Sequence, residues 1–414
     1  MSITSIATYT ITFLAVYVQV FILVTFFERR KDLKEQTSDD RPDITHFPGV
    51  TIIMPCWNES KTVHGTVRSL LALDYPKDKL FIIIVDDGST DNTWEEMQIY
   101  KDHPQIKIYH TENGGKHVAV NFGIDKTETE LVGCLDADSF VAPHALIDMV
   151  RVFNNNPEVM AVAPTLIVHN PNNILQWAQK VEYNMSVYLK KMQAFLNAIH
   201  VTPGPFSVFR KEVFDKIGKF KKAHGTEDQE IAYRMQENHM KIEHCPTAYV
   251  YTVTPDTVKK LYVQRLRWIY GFIQNTIDYR RLLLNPKYGN FSFFTVPAGI
   301  ISITAAVFLF FSAIYNILIY IIETISRFSV VGFNASDLPS LSFDWFYFDI
   351  RALLIVTVVL YSLVLTSMIV GSRIAKQKLS WHVISFMLIY SIIAPFWLMK
   401  AVWNSITSKQ PKWR

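Results

Sequence analysis

Cysteine is scarce in this sequence: 414 residues contain only Cys56, Cys134 and Cys245. The number is odd and no CxxC pair occurs, which speaks against a disulfide framework and against a cysteine-based zinc site. Each thiol stands among apolar residues and is expected to be buried. Charge is scarce too. Charged residues make up 19% of the chain, the net charge is +4 and no run of lysines and arginines stands out. The chain therefore lacks the basic footprint of a nucleic-acid binder. No internal repeat or low-complexity tract is present. Apolar side chains are abundant instead, at 50% of residues with 14% aromatic. That is high for a soluble domain and too low for a chain lying wholly in a membrane, so a mixed protein is expected.

A membrane-crossing helix needs roughly 20 mainly apolar residues. Residues 9–27 (YTITFLAVYVQVFILVTFF) meet this without a charge and stop at Glu28-Arg29-Arg30-Lys31. A cleaved leader would carry its positive charge before the apolar run. The reversed order here predicts an uncleaved anchor with its basic flank in the cytoplasm. Residues 293–322, 353–370 and 383–402 form three further apolar runs. The loop 372–378 carries Arg373, Lys376 and Lys378 and is placed inside, and the loop 323–349, mostly uncharged or acidic, is placed outside. The expected organisation is an N-terminal transmembrane helix at 1–28, a linker at 29–48, a cytoplasmic α/β domain at 49–255, an amphipathic interfacial helix at 256–289 and a C-terminal membrane region at 290–414 of about three helices. The chain would then be a multi-pass cell-membrane protein. The basic tail Lys409, Lys412, Arg414 disagrees, because four crossings put it outside. A re-entrant or interfacial helix would remove the conflict.

Between these runs the pattern changes. Residues 50–55 (VTIIMP), 80–85 (LFIIIV), 106–109 and 131–135 are short β-rich runs, separated by helix-like stretches such as 61–73 and 93–100. Alternating strands and helices predict βαβ units and a mostly parallel sheet, with ligands beyond the carboxyl ends of the strands.

Acidic residues stand at those ends. Asp86 and Asp87 close the second strand, where carboxylates can accept hydrogen bonds from a nucleoside's ring N–H or ribose hydroxyls. Helix capping explains Asp91, but two adjacent acids exceed capping needs. An EF-hand does not fit, since the aspartate spacing and terminal glutamate are missing. Asn113-Gly114-Gly115-Lys116 offers a close backbone approach and a lysine for a phosphate, although such turns are common. Asp136-Ala137-Asp138 follows the fourth strand, and in a turn both carboxylates can converge on a divalent cation that neutralises a leaving diphosphate. Thr226-Glu227-Asp228 opens a helix-like stretch. Helix capping alone would account for those acids, and an aspartate held there also stays ionised and can serve as a general base. Gln264-Arg265-Leu266-Arg267-Trp268 lies in a helical stretch from about 257 to 284, where Gln264, Arg267 and Trp268 share a face suited to a diphosphate and a sugar ring. A basic helix on a membrane surface explains the same pattern, and explains Arg280 and Arg281 better.

The ordered set DDGSTD, DAD, TED, QRLRW resembles the processive family-2 glycosyltransferases, the group of cellulose, chitin, hyaluronan and poly-N-acetylglucosamine synthases. The resemblance covers residues 50–268 and the flanking helices. It implies a GT-A domain, an α/β nucleotide-diphospho-sugar transferase fold, on an α-helical transmembrane channel. It implies that Asp86 and Asp87 hold the uridine, Asp136 and Asp138 the metal (Mg²⁺ or Mn²⁺) and the donor diphosphate, and that Asp228 is the catalytic base. Gln264, Arg267 and Trp268 would hold the diphosphate and the acceptor sugar. Arg265 and Glu227, within the same motifs, count among the substrate-binding candidates. Lys116 and the turn Pro203-Gly204-Pro205-Phe206 would line the donor and acceptor. The TED triplet, compact size and single first helix resemble the staphylococcal-type poly-β-1,6-N-acetylglucosamine branch. The implied partners are UDP-N-acetylglucosamine, a growing polysaccharide, the membrane and a small accessory membrane protein, with no nucleic acid. Rival expectations are a synthase of another β-glycan, a single-transfer enzyme acting on a lipid phosphate and a nucleotide-sugar-binding membrane subunit without turnover.

Overall fold

A computed structural model describes residues 3–38, 44, 46–332 and 352–411. The first helix, α1 (Ile3–Thr37), leads into β1 (Val50–Cys56), α2 (Val63–Leu71), β2 (Leu80–Asp87), α3 (Thr93–Met97), β3 (Ile106–Thr111), α4 (Lys116–Asp125), β4 (Leu131–Cys134), β5 (Ser139–Val141) and α5 (Ala145–Asn155). There follow β6 (Val159–Val168), α6 (Ile174–Phe195), β7 (Ser207–Arg210), α7 (Glu212–Ile217), α8 (Glu227–Glu237), β8 (Lys241–Thr252), α9 (Val258–Asp278), α10 (Val296–Val331), α11 (Ala352–Ile374) and α12 (Val383–Ile406).

The strands form one eight-stranded sheet in the order β3-β2-β1-β4-β7-β6-β8-β5. Continuous β-branched runs such as VTIIMPC and LFIIIVDD are, apart from the exposed Phe81, buried on both faces, as central parallel strands must be. The helices cover the two faces through apolar positions at helical spacing. On α2 these are Val63, Val67 and Leu70, and on α5 Leu146, Met149, Val150 and Phe153. Complete burial of such a side chain contributes about 1.5–3 kcal/mol. The three cysteines are buried and free, as expected.

The sheet is mostly parallel, as expected: β3, β2, β1, β4, β6 and β8 run one way, while β7 runs antiparallel between β4 and β6, and β5 is antiparallel to β8. The direction of β7 matters for function. Because Ser207 at its start pairs with Cys134 at the end of β4, the turn that precedes β7 arrives beside the Asp136 end of β4.

The expected break of the first helix at Glu28 differs. α1 continues through the charged flank to Thr37, since Arg, Lys and Glu are good helix formers and Arg29 pairs with Asp32 one turn on at 3.2 Å. Residues 39–43 and 45 of the expected linker, the loop 333–351 and the tail residues Lys412 and Arg414 lie outside the described residues. The helical stretch expected to reach 284 stops at Asp278 and continues as two short 3₁₀ turns.

Among the described residues four helices are long and apolar enough to cross a membrane: Ile6–Thr37, Phe291–Ser329, Leu354–Ile374 and Val383–Ile406. They are joined to the α/β domain through α6, whose residues Val187, Tyr188 and Met192 pack with Ile22 of α1 and Ile374 of α11. At this crossing a Cβ on Gly371 would fall far inside contact distance of the Asn184 carbonyl. Gly371→Ala must push two backbones apart. It is expected to destabilise the protein by about 1–3 kcal/mol, in the range of overpacked sites, seen as a lower melting temperature in detergent. An unchanged melting curve would show that the helices do not meet this closely.

Candidate active site

Each strand end contributes differently. Asp86 is still within β2, paired with Cys56 and His110. It is fully buried. One of its oxygens accepts from His110 Nδ1 at 2.6 Å and the other from Ser89 Oγ at 2.5 Å. Asp87 points to the other side. Its two oxygens accept the amides of Gly114 and Gly115, each at 2.9 Å, which fixes the Gly-Gly turn. Gly115 has φ 91°, a conformation that a side chain would oppose. That turn delivers Lys116 as the first residue of α4.

The DAD turn is fixed by its backbone. Leu135 N–H donates to Ile53 O at 2.9 Å, and Thr66 Oγ1 donates to Ala137 O at 2.8 Å. Asp136 then meets Lys116 Nζ at 2.5 Å, and the same ammonium lies 3.2 Å from Glu227 at the start of α8. Gly204 lies close beside this pair, so that a Cβ there would displace Lys116 Nζ. Thr202 N–H and Oγ1 both donate to the backbone oxygen of Asp228, at 3.1 and 3.0 Å, which ties the turn before β7 to α8. From α9, Arg267 donates to Gly225 O at 2.7 Å and Asn275 donates to Thr226 Oγ1 at 3.1 Å. The TED turn is thus held from two sides.

These groups line one cavity of about 2030 Å³. Its wall includes Asp87, Gly114, Gly115, Lys116, Asp136, Asp138, Glu227, Asp228, Gln264, Arg267 and Trp268. Ligand pockets of drug-sized molecules span about 300–1,000 Å³, so this one has room for two large reactants. It continues past Gly299, Ser302 and Ile303 of α10 and Leu398 of α12, between helices fit to span a membrane.

Charge is unevenly distributed on this wall. Burial works against the Lys116 ammonium, but Asp136 and Glu227 outweigh it, and its pKa lies above that of an ordinary lysine. Burial likewise opposes the Glu227 charge, yet Lys116 and Arg267 keep its carboxyl below the usual value. Asp228, buried beside Glu227, is pushed up to about 6, with Lys116 and Arg267 pulling the other way. Asp138 is pushed up to about 7 by burial and then by Asp136 and Glu59. A buried carboxyl surrounded by acids favours a cation at that point. Among the described residues no group of three or more His, Cys, Asp and Glu side chains could hold a metal. The Asp136–Asp138 pair therefore suits a metal that takes its remaining ligands from a diphosphate and water, as Mg²⁺ does.

Three of the expected site residues are not on the cavity wall. Asp86 spends both oxygens inside the protein, because neighbouring residues of a strand point to opposite faces and only Asp87 points to the opening. Phe206 is completely buried in the core with φ 63°, leaving Pro203, Gly204 and Pro205 at the surface of the cavity. Arg265 is buried behind Gln264 and Trp268 instead of facing the cavity. It pairs with Glu182 at 2.6 Å, donates to Gln264 Oε1 at 2.9 Å and stacks on Trp268 at 4.1 Å. Conversely, Glu59 and the cavity-facing side of α6 were not assigned from sequence. Glu182, Ser186 and Lys190 recur at four-residue spacing, a helical signal that was present but polar.

Residues 51–218 match the family described as glycosyl transferase family 2. A poly-beta-1,6-N-acetyl-D-glucosamine synthase of Staphylococcus epidermidis is 31% identical over 261 residues, 63% of this chain. The match spans 63% of that relative's length. A second S. epidermidis protein of that name is 34% identical over 54% of each chain. Among solved structures, a mannosyltransferase from Pyrobaculum calidifontis in complex with GDP-Man and Mn²⁺ superposes with a TM-score of 0.60, covering 96% of this chain and 99% of that one at 19% identity. At that identity the likeness is one of fold. Residues 51–218 are accordingly a glycosyl transferase family 2 domain, on a GT-A fold, in a chain whose four apolar helices are fit to span a membrane.

Proposed function

We propose that this chain is a processive, inverting glycosyltransferase. It polymerises N-acetylglucosamine from UDP-N-acetylglucosamine into a β-1,6-linked exopolysaccharide of the kind that builds biofilms, and passes the product into its membrane helices. The single observation that carries this reading is that Asp228, Lys116 and the Asp136–Asp138 pair share one cavity that runs on between α10 and α12. The names of the curated relatives support the choice of sugar and linkage.

Asp87 and the Gly114–Gly115 turn receive the nucleoside side of the donor. Lys116 and Arg267 face its diphosphate, and Trp268 and Gln264 face the acceptor sugar. Asp136 and Asp138 would hold Mg²⁺ or Mn²⁺, which when bound neutralises charge on the departing diphosphate. Asp228 takes the proton of the acceptor's 6-hydroxyl. The hydroxyl oxygen bonds to C1 of the donor sugar from the side opposite the diphosphate. The C1–O bond to the diphosphate breaks, and UDP leaves with the electron pair. The α/β domain and loop 372–378 would lie in the cytoplasm, and a small membrane protein would complete the assembly.

The base assignment carries a pH dependence. Asp228 works only when ionised, and its carboxyl titrates at about 6. Turnover should therefore be full above neutrality and fall as pH drops through about 6, below which the base is protonated. The test is kcat for UDP release from pH 5 to 9. A rate that stays flat down to pH 5 would contradict Asp228 as the base.

A further inference from the structure

α6 presents a polar stripe to the cavity. Glu182, Ser186, Lys190 and Gln193 recur at helical spacing and all line it. The opposite side of the helix packs against α1 and α11 through Val187, Tyr188 and Met192. A polar stripe inside a protein needs a reason, since buried polar groups are costly unless they are hydrogen-bonded.

One end of the stripe is satisfied. Glu182 accepts from Arg265 of α9 and from Tyr390 of α12, both at 2.6 Å, which anchors the stripe beside the membrane helices. The other end is not. Lys190 makes no hydrogen bond or ion pair with any described residue. Its charge is felt by Asp228 and by His200, which lines the same cavity. His200 Nδ1 is buried without a hydrogen-bond partner, and its ring lies edge-on to Phe272. Burial lowers the Lys190 pKa to about 8 and that of His200 to about 4. At neutral pH the pair is an ammonium donor beside a neutral imidazole. Neither is part of the Asp136–Asp138 cluster or of the Gln264–Trp268 face.

We propose that Lys190 and His200 form an acceptor-binding pair that presents a carbohydrate hydroxyl to Asp228, with the polar face of α6 cradling the sugars behind it. This rests on the reading of the chain as a glycosyltransferase and names the residues that select its acceptor. Sugar hydroxyls and acetamide oxygens are the groups that a lone ammonium and a free imidazole nitrogen can bind without a counter-charge. The position suits this. Both residues line the cavity that holds Asp228, and the Asp228 charge acts on Lys190, so a hydroxyl held by Lys190 is bound in the same cavity as the base.

The test uses the full-length protein in nanodiscs and the variants Lys190→Met and Lys190→Arg. UDP affinity is measured with Mn²⁺, and transfer from UDP-N-acetylglucosamine is measured at increasing concentrations of a β-1,6-linked N-acetylglucosamine tetrasaccharide. Lys190→Met should raise the KM for the tetrasaccharide about tenfold or more, as expected for losing a charged hydrogen bond, and leave UDP affinity within about twofold. Retained UDP binding also shows that the variant is folded. Lys190→Arg should recover most of the loss. An unchanged KM for the tetrasaccharide overturns the inference, and so does an equal loss of UDP affinity, which would make Lys190 a donor ligand. If the unsubstituted protein releases no UDP from any sugar nucleotide, the glycosyltransferase reading fails and this inference with it, and that failure appears before any variant is made.

Discussion

Asp228→Asn is expected to lower sugar transfer by about 10²- to 10⁴-fold, the usual contribution of a positioned general base, with UDP affinity unchanged. Two carboxylates compete for the role, and their environments separate them. Glu227 is engaged by Lys116 at 3.2 Å and held below its ordinary pKa, which makes it a weak proton acceptor. Asp228 has no such partner at that distance among the described residues and titrates at about 6, close to the working range. Its backbone is fixed by Thr202 and its side chain accepts from the Gln229 amide at 3.0 Å, so it is oriented as well as tuned. Glu227→Gln provides the contrast. It removes a partner of Lys116 and should weaken donor use while leaving the acid limb of the pH profile in place. Measured kcat for both variants decides between them. If Asp228→Asn keeps a rate within about tenfold of the parent, the base lies elsewhere.

Lys116→Met is expected to reduce kcat/KM for the donor by about 10²- to 10³-fold, as when a preorganised donor to developing charge is removed. Lys116 is the first residue of α4, so the positive end of that helix adds to its own charge where the diphosphate must arrive. It is also the cation between Asp136 and Glu227. Without it these carboxylates face a cavity that must accept an anion, and binding and chemistry both suffer. Lys116→Arg should not restore activity, because a broad planar guanidinium does not reproduce a compact ammonium held between Asp136 and Glu227. UDP release at saturating metal measures the loss, and a melting curve separates it from unfolding. A loss smaller than about tenfold would remove Lys116 from the charge-stabilising machinery.

The half of the fold that builds the donor site was readable from sequence. β1, β2, β3 and β4 are short β-branched runs with turn signals between them, and the carboxyl ends of β1, β2 and β4 lead to the acids that reach the cavity. The second half was not readable for physical reasons. β6 contains Pro164 and joins a sheet region with mixed direction and register shifts. α6 touches membrane helices on one side and the cavity on the other, so its apolar and polar positions do not form the single stripe of a surface helix. The motifs were found, but not which way each member points. Asp86 and Asp87 are identical in type, and strand alternation sends one inward to His110 and the other to the Gly-Gly turn. Arg265 and Arg267 belong to one motif, yet the helix turn takes the first to Glu182 and leaves the second at the cavity. Lys190 and His200 escaped because they carry no motif at all, and only the cavity brings them to Asp228.

The most direct test of the central claim is the product made by the purified protein in lipid vesicles. UDP-N-acetylglucosamine, UDP-glucose and UDP-glucuronate are supplied separately with Mg²⁺, and both UDP release and product size are followed. The expected result is UDP release with UDP-N-acetylglucosamine alone and a long polymer that a β-1,6-N-acetylglucosamine-specific hydrolase degrades. A single sugar transferred to a lipid, or no UDP release with any donor, would contradict it.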